Sequence, residues 1–158
     1  MSFTIGSISS GTLRPVDLLP AFVSALLDAG GTLPPDLECV KHLEYHNYPA
    51  NDFDAIEDEF WESEDAGWDL AALGDALGEV CPPLVYFGTL PGDGADFGFW
   101  PDHDAIEEAQ RYGEAWDEDS EFTWLEEWSV WLHVSDHGNV AVLANTKGAP
   151  GTELWRAV

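Results

Sequence analysis

Eight of the fourteen residues from Asp52 to Asp65 are Asp or Glu, and none is Lys or Arg. Phe53, Ile56, Phe60 and Trp61 are interleaved with them, and Trp68 follows closely. This stretch, NDFDAIEDEFWESED, constrains the fold more than any other. Clustered like charges repel one another and favour an open chain. Large apolar groups gain by leaving water and favour a closed one. Both tendencies are satisfied only if the aromatics face a core and the carboxylates face solvent. An acidic tail would have no use for the aromatics, since disordered acidic segments are poor in them.

The whole chain repeats this tension. Its 158 residues suit one ordinary domain, and 45% apolar content with 13% aromatics is enough for a core. Against 31 acids stand only Arg14, Lys41, Arg111, Lys147 and Arg156, for a formal net charge of -26. Direct binding to nucleic acid or to an anionic membrane needs basic surface, so both are excluded as expectations. The expected partner is basic. Cys39 and Cys81 make no disulfide framework and read as reduced thiols. The opening MSFTIGSISSGTLRP lacks the basic-then-apolar order of a signal peptide, and no apolar run approaches the ~20 residues of a membrane span. A cytoplasmic protein is expected.

Periodicity places the elements. Leu18, Leu19, Phe22, Val23, Leu26 and Leu27 form one helical stripe that stops at Gly30 and Gly31, with Pro20 kinking or separating the first turn. TLPPDLECVKHLEYHNYP reads as a loop with a short strand or helical turn. Phe53, Ile56 and Phe60 are spaced for a helix over the acidic run, with its outer face covered by carboxylates. GWDLAALGDALGEV reads as another helix with Leu70, Leu73, Leu77 and Val80 inward, ended by Pro82 and Pro83. Two aromatic runs, 84–89 and 96–100, flank Pro-Gly-Asp-Gly as a hairpin with a loop longer than two residues. A short acidic helix is expected from Asp104 to Tyr112, with Asp104 and Glu107 as a capping box and Gly113 as the stop. A second hairpin turns at Asp136–Asn139, and TELWRAV is a final strand. The expected fold is a single α+β domain: an antiparallel sheet of four to five strands with three to four helices mainly on one face.

Nothing in the chain carries a catalytic signature. GDGADFG has no following Lys and is not a phosphate loop, and no G-x-S-x-G occurs. His42 and His46 have the spacing of two zinc ligands on a helix, but Leu43 stands where H-E-x-x-H requires Glu. Asp93–Asp104 fails as an EF-hand loop, with Ala95 and Phe97 at ligand positions and Asp104 in place of Glu. No enzyme activity, metal or cofactor is expected.

The acids themselves are the remaining signal. Asp52–Asp65 and Asp102–Glu127 hold nineteen of the thirty-one on forty residues, offset only by Arg111. A salt-adapted surface would also be acidic and Lys-poor, but it would spread its acids, and residues 1–35 hold only Asp17 and Asp28. Carboxylates at i, i+3 and i+4 of a helix lie about 5–6 Å apart, the scale on which phosphates recur along a strand. Nucleic-acid mimicry follows as the expected function, with Asp54, Glu57, Asp58, Glu62, Glu64 and Asp65 as the main contact residues. Asp117, Glu118, Asp119 and Glu121 come second. The alternatives are an acidic protein-interaction module without mimicry, and a salt-adapted protein of other function.

In size, charge and lack of a catalytic motif the chain resembles the DNA-mimic inhibitors that phages and mobile elements use against host defence. These include anti-restriction proteins, anti-CRISPR proteins and uracil-DNA glycosylase inhibitors. That class is defined by surface and carries no shared motif, so no residue roles transfer. The resemblance implies a basic nucleic-acid-binding target: a nuclease, CRISPR effector, glycosylase or repressor. YFGTLPGDGADFGFWP, residues 86–101, is also similar to a segment of small phage and bacterial proteins of no known activity.

Overall fold

Helix α1 (Pro15–Asp28) begins with a proline at its first position and buries Leu18, Leu19, Phe22, Val23 and Leu26, while Leu27 is exposed. Pro20 lies inside it and does not divide it. The hydrogen bond that Pro20 forfeits falls near the helix start, and five buried side chains outweigh it. The helix ends in a Schellman pair: the N–H of Gly31 donates to the Leu26 carbonyl and that of Gly30 to the Leu27 carbonyl. Gly30 supplies the left-handed turn at φ +81, and a Cβ on Gly31 would sit on the Leu26 side chain.

The computed structural model describes residues 3–49, 52–115 and 121–157. The fold is α+β, with five α-helices and antiparallel strands in two sheets among the described residues. After α1 come α2 (Glu38–Tyr45), a 3-10 turn (Phe53–Ala55), α3 (Asp58–Trp61), α4 (Glu64–Glu79) and α5 (His103–Tyr112). Strands β1 (Gly6–Ser9), β3 (Asp93–Pro101) and β2 (Val85–Leu90) form one sheet in that order. Strands β4 (Glu114–Ala115), β5 (Phe122–Leu125), β6 (Val130–Val134), β7 (Val140–Thr146) and β8 (Ala149–Ala157) form the second, each paired to the next. In place of the one expected sheet of four to five strands with three to four helices, the described residues form two sheets, of three and five strands, and five α-helices. The first hairpin, 85–101, goes into a sheet of its own with β1.

Segment 32–49, expected as a loop with a short strand or helical turn, contains more than a turn: α2 is an eight-residue helix that buries Cys39 and Leu43. The first hairpin also turns more tightly than expected. Only Pro91 and Gly92 connect its strands, with Gly92 at φ +91, and the Asp93 side chain accepts from the Ala95 N–H instead of lengthening the loop. Helix α5 starts one residue early. Asp102 caps it by accepting from the Ala105 N–H at 3.0 Å, in place of the expected Asp104–Glu107 box.

The chain divides into two compact units, residues 7–81 with 87–98, and the described residues of 1–6, 82–86 and 99–158. In the first, α1 and α2 pack on α4, and the Phe22 ring meets those of Phe87 and Phe97 edge-on at 5.0 and 5.4 Å. In the second, Leu125, Val130, Leu132, Val140, Val142 and Trp155 form a core with Leu84 and Ile106. Trp155 is fully buried, and its indole N–H donates to the Pro83 carbonyl at 2.9 Å. No helix among the described residues is long and apolar enough to cross a membrane.

Candidate functional site

The run from Asp52 to Asp65 does not form the single helix that its apolar spacing suggests. Ile56, Glu57 and Ser63 have extended backbones and cut it into the 3-10 turn, α3 and the start of α4. Electrostatics accounts for the break. One continuous helix would stack carboxylates at i and i+4 with no cation between them, and each such pair is destabilising by about 0.2–0.5 kcal/mol. Cutting it creates two helix N-termini, where the backbone dipole favours negative charge. Asp58 and Glu59 occupy the first turn of α3, and Glu64 and Asp65 that of α4. Ser63 caps α4, its Oγ accepting from the Ala66 N–H at 3.4 Å and donating to the Phe60 carbonyl at 2.6 Å. Ile56 and Trp61 are buried, while Phe53 and Phe60 are half-buried.

This geometry leaves Asp54, Glu57, Asp58, Glu62, Glu64 and Asp65 all exposed. None has an ion-pair partner among the described residues. The cations are engaged elsewhere: Arg14 faces Asp17, Arg111 faces Glu107 and Arg156 faces Glu153. Lys41 lies 2.7 Å from Glu38 and 3.8 Å from Asp36. Glu121 is exposed too, with its carboxylate 3.8 Å from His133 Nδ1. Asp117, Glu118 and Asp119 lie outside the described residues. The regular row of carboxylates expected along one helix is therefore replaced by clusters at two helix starts.

Two side chains nearby depart from the expected pattern of apolar groups inward and acids outward. Trp68, one turn after Glu64, is 71% exposed on α4. Asp69 is the reverse case, a carboxylate only 3% exposed. It accepts from the N–H groups of Glu38 and Cys39 at 2.8 and 2.7 Å and so caps α2, whose own cap position, Leu37, offers no side-chain acceptor. Its signal was present in the sequence: Asp69 falls in register with the inward Ala66, Leu73 and Leu77. Burial, followed by the hydrogen bond and charge of Asp69, pushes the Cys39 thiol up to about 12. Burial pushes Cys81 up to about 11. Both therefore stay protonated thiols near neutral pH.

His42 and His46 do meet, with ring centroids 4.7 Å apart, but they are joined by aromatic rings, Tyr45 and Tyr48 against His46 and Phe60 near His42. No group of three or more His, Cys, Asp or Glu among the described residues is arranged to hold a metal ion. No protein family, curated protein or solved structure matches the chain.

Proposed function

We propose that the protein is an inhibitor that imitates nucleic acid, presenting its acidic face to the basic groove of a host defence protein that binds DNA or RNA. One observation carries this reading. Asp54, Glu57, Asp58, Glu62, Glu64 and Asp65 are exposed and have no ion-pair partner among the described residues, while four of the five cations are engaged with other carboxylates. Such a face costs self-repulsion in the free protein and is neutralised by a surface of opposite sign. The interleaved apolar side chains hold it: Ile56 and Trp61 are buried within the acidic run. Displacing nucleic acid from its groove repeats the counterion exchange of the polymer, so binding weakens steeply with salt.

A gel-shift competition tests this. The protein is titrated into a complex of a basic nuclease, CRISPR effector, glycosylase or repressor with its DNA. Release of the DNA is expected, and its loss on reversing Glu57, Asp58, Glu62 and Glu64 together to Lys. A ternary complex of protein, target and DNA on one site is the outcome that ends the mimicry reading.

A second reading, an acidic interaction module without mimicry, is favoured by the broken carboxylate row and by Trp68. An exposed Trp beside Glu64 and Asp65 is the kind of anchor around which protein interfaces concentrate their energy. Trp68→Ala separates the two. A mimic keeps its affinity almost unchanged, and a module loses roughly tenfold or more, as truncated anchors do.

A further inference from the structure

Between α5 and the turn that joins β5 to β6 lies a cleft of about 390 Å³, within the range of small-ligand sites. Its apolar part comes from Leu125, which is buried, and from Ala105 and Ala109 on α5. Two aromatics line it that are otherwise poorly covered: Tyr112 is 73% exposed and Trp128 39%. Four carboxylates line it as well, Glu108, Glu114, Glu126 and Glu127, all exposed and without an ion-pair partner among the described residues. No Lys or Arg lines it among the described residues.

The cleft is shaped by packing. Gly113 stops α5 hard against β5: a Cβ there would lie on Thr123 Cγ2, 2.7 Å from the Ala109 carbonyl and 3.0 Å from that of Trp124. Trp124 also lines this wall, and its ring meets that of its cross-strand partner Trp131 at 5.0 Å. A turn closed by the Ser129 N–H on the Glu126 carbonyl presents Glu126, Glu127 and Trp128. The C-terminus of α5, the negative end of its dipole, also opens here.

We propose that this cleft receives an arginine side chain from a protein partner. Apolar walls with exposed aromatic faces suit the flat guanidinium and its methylene stem, which stack on Tyr or Trp. Carboxylates and the helix C-terminus supply acceptors for its five N–H donors. A lysine would gain the charge but neither the stacking nor the fork. The proposal goes beyond the acidic face at 54–65 and does not depend on it, since it uses none of those residues.

The test is a titration with the peptide acetyl-Gly-Arg-Gly-amide, followed by the NMR signal of the Trp128 indole N–H, assigned with Trp128→Phe. A saturable shift is expected. Citrulline in place of Arg should give none. Tyr112→Ala and the double variant Glu108→Gln/Glu127→Gln change exposed side chains only. Each should weaken binding roughly tenfold, the first by losing a partly desolvated cation–π contact and the second by losing charge-assisted hydrogen bonds, while the rest of the spectrum stays that of the folded protein. The proposal is overturned by equal responses to Arg and citrulline, by a lysine peptide that binds as well, or by a shift that does not saturate. A response indifferent to both variants, or no response at all, overturns it too.

Discussion

At the scale of single residues, Asp69 is the most constrained group in the helical unit. It is a buried carboxylate whose two acceptor bonds replace a missing cap on α2. Asp69→Ala would leave the Glu38 and Cys39 N–H groups without that acceptor, at a cost of about 1–3 kcal/mol. Asp69→Asn keeps one acceptor oxygen and should cost less. Urea unfolding of the two variants ranks them, and an Ala variant as stable as the parent would mean that the cap contributes nothing. The apolar register of α4 placed this residue inward in the sequence itself. Its partners were not legible there, because they come from a helix thirty residues away along the chain that periodicity did not reveal.

At the scale of elements, charge position along a helix decides what a carboxylate does. Glu64 opens α4 and Glu79 closes it, and α4 has no basic residue in its last turn. Replacing either with Lys relieves the net negative charge, but the backbone dipole acts in opposite directions at the two ends, by about 0.3–1 kcal/mol each. Glu79→Lys should therefore be more stable than Glu64→Lys, as read from paired thermal melts. Equal melting would mean that global repulsion dominates and dipoles are negligible. The same physics explains why the acidic run was misread. The spacing of Phe53, Ile56 and Phe60 suits one helix, but hydrophobic periodicity takes no account of repulsion between neighbouring carboxylates. The α1 stripe and the second hairpin carry little such conflict, and both form where the pattern puts them.

At the scale of the whole molecule, a net charge of -26 must be offset by apolar burial. Two cores supply it, one around Leu19, Leu26, Leu73 and Leu77, the other around Leu132, Val142 and Trp155. A protein so built should remain folded near 0.1 M salt, where charges farther apart than about 10 Å are already screened. Circular dichroism from dilute buffer to molar salt checks this. Unfolding at 0.1 M with recovery only above ~1 M, where screening has contracted to about 3 Å, would identify a salt-adapted protein instead.

The sequence by itself determined the charge, the α+β class, and those elements whose apolar period met no opposing force: α1, α4, α5 and the strands β6, β7 and β8. It also determined that the acidic run had to be folded, since its aromatics would not stay in water. Tertiary structure decided the rest. It turned Asp69 into the cap of another helix, and drew α5 against β5 to form an acidic, aromatic cleft. The physical reason is range. Hydrophobic periodicity is read within a few turns of chain, whereas capping by Asp69 and the close approach of α5 to β5 act between segments that only folding brings together.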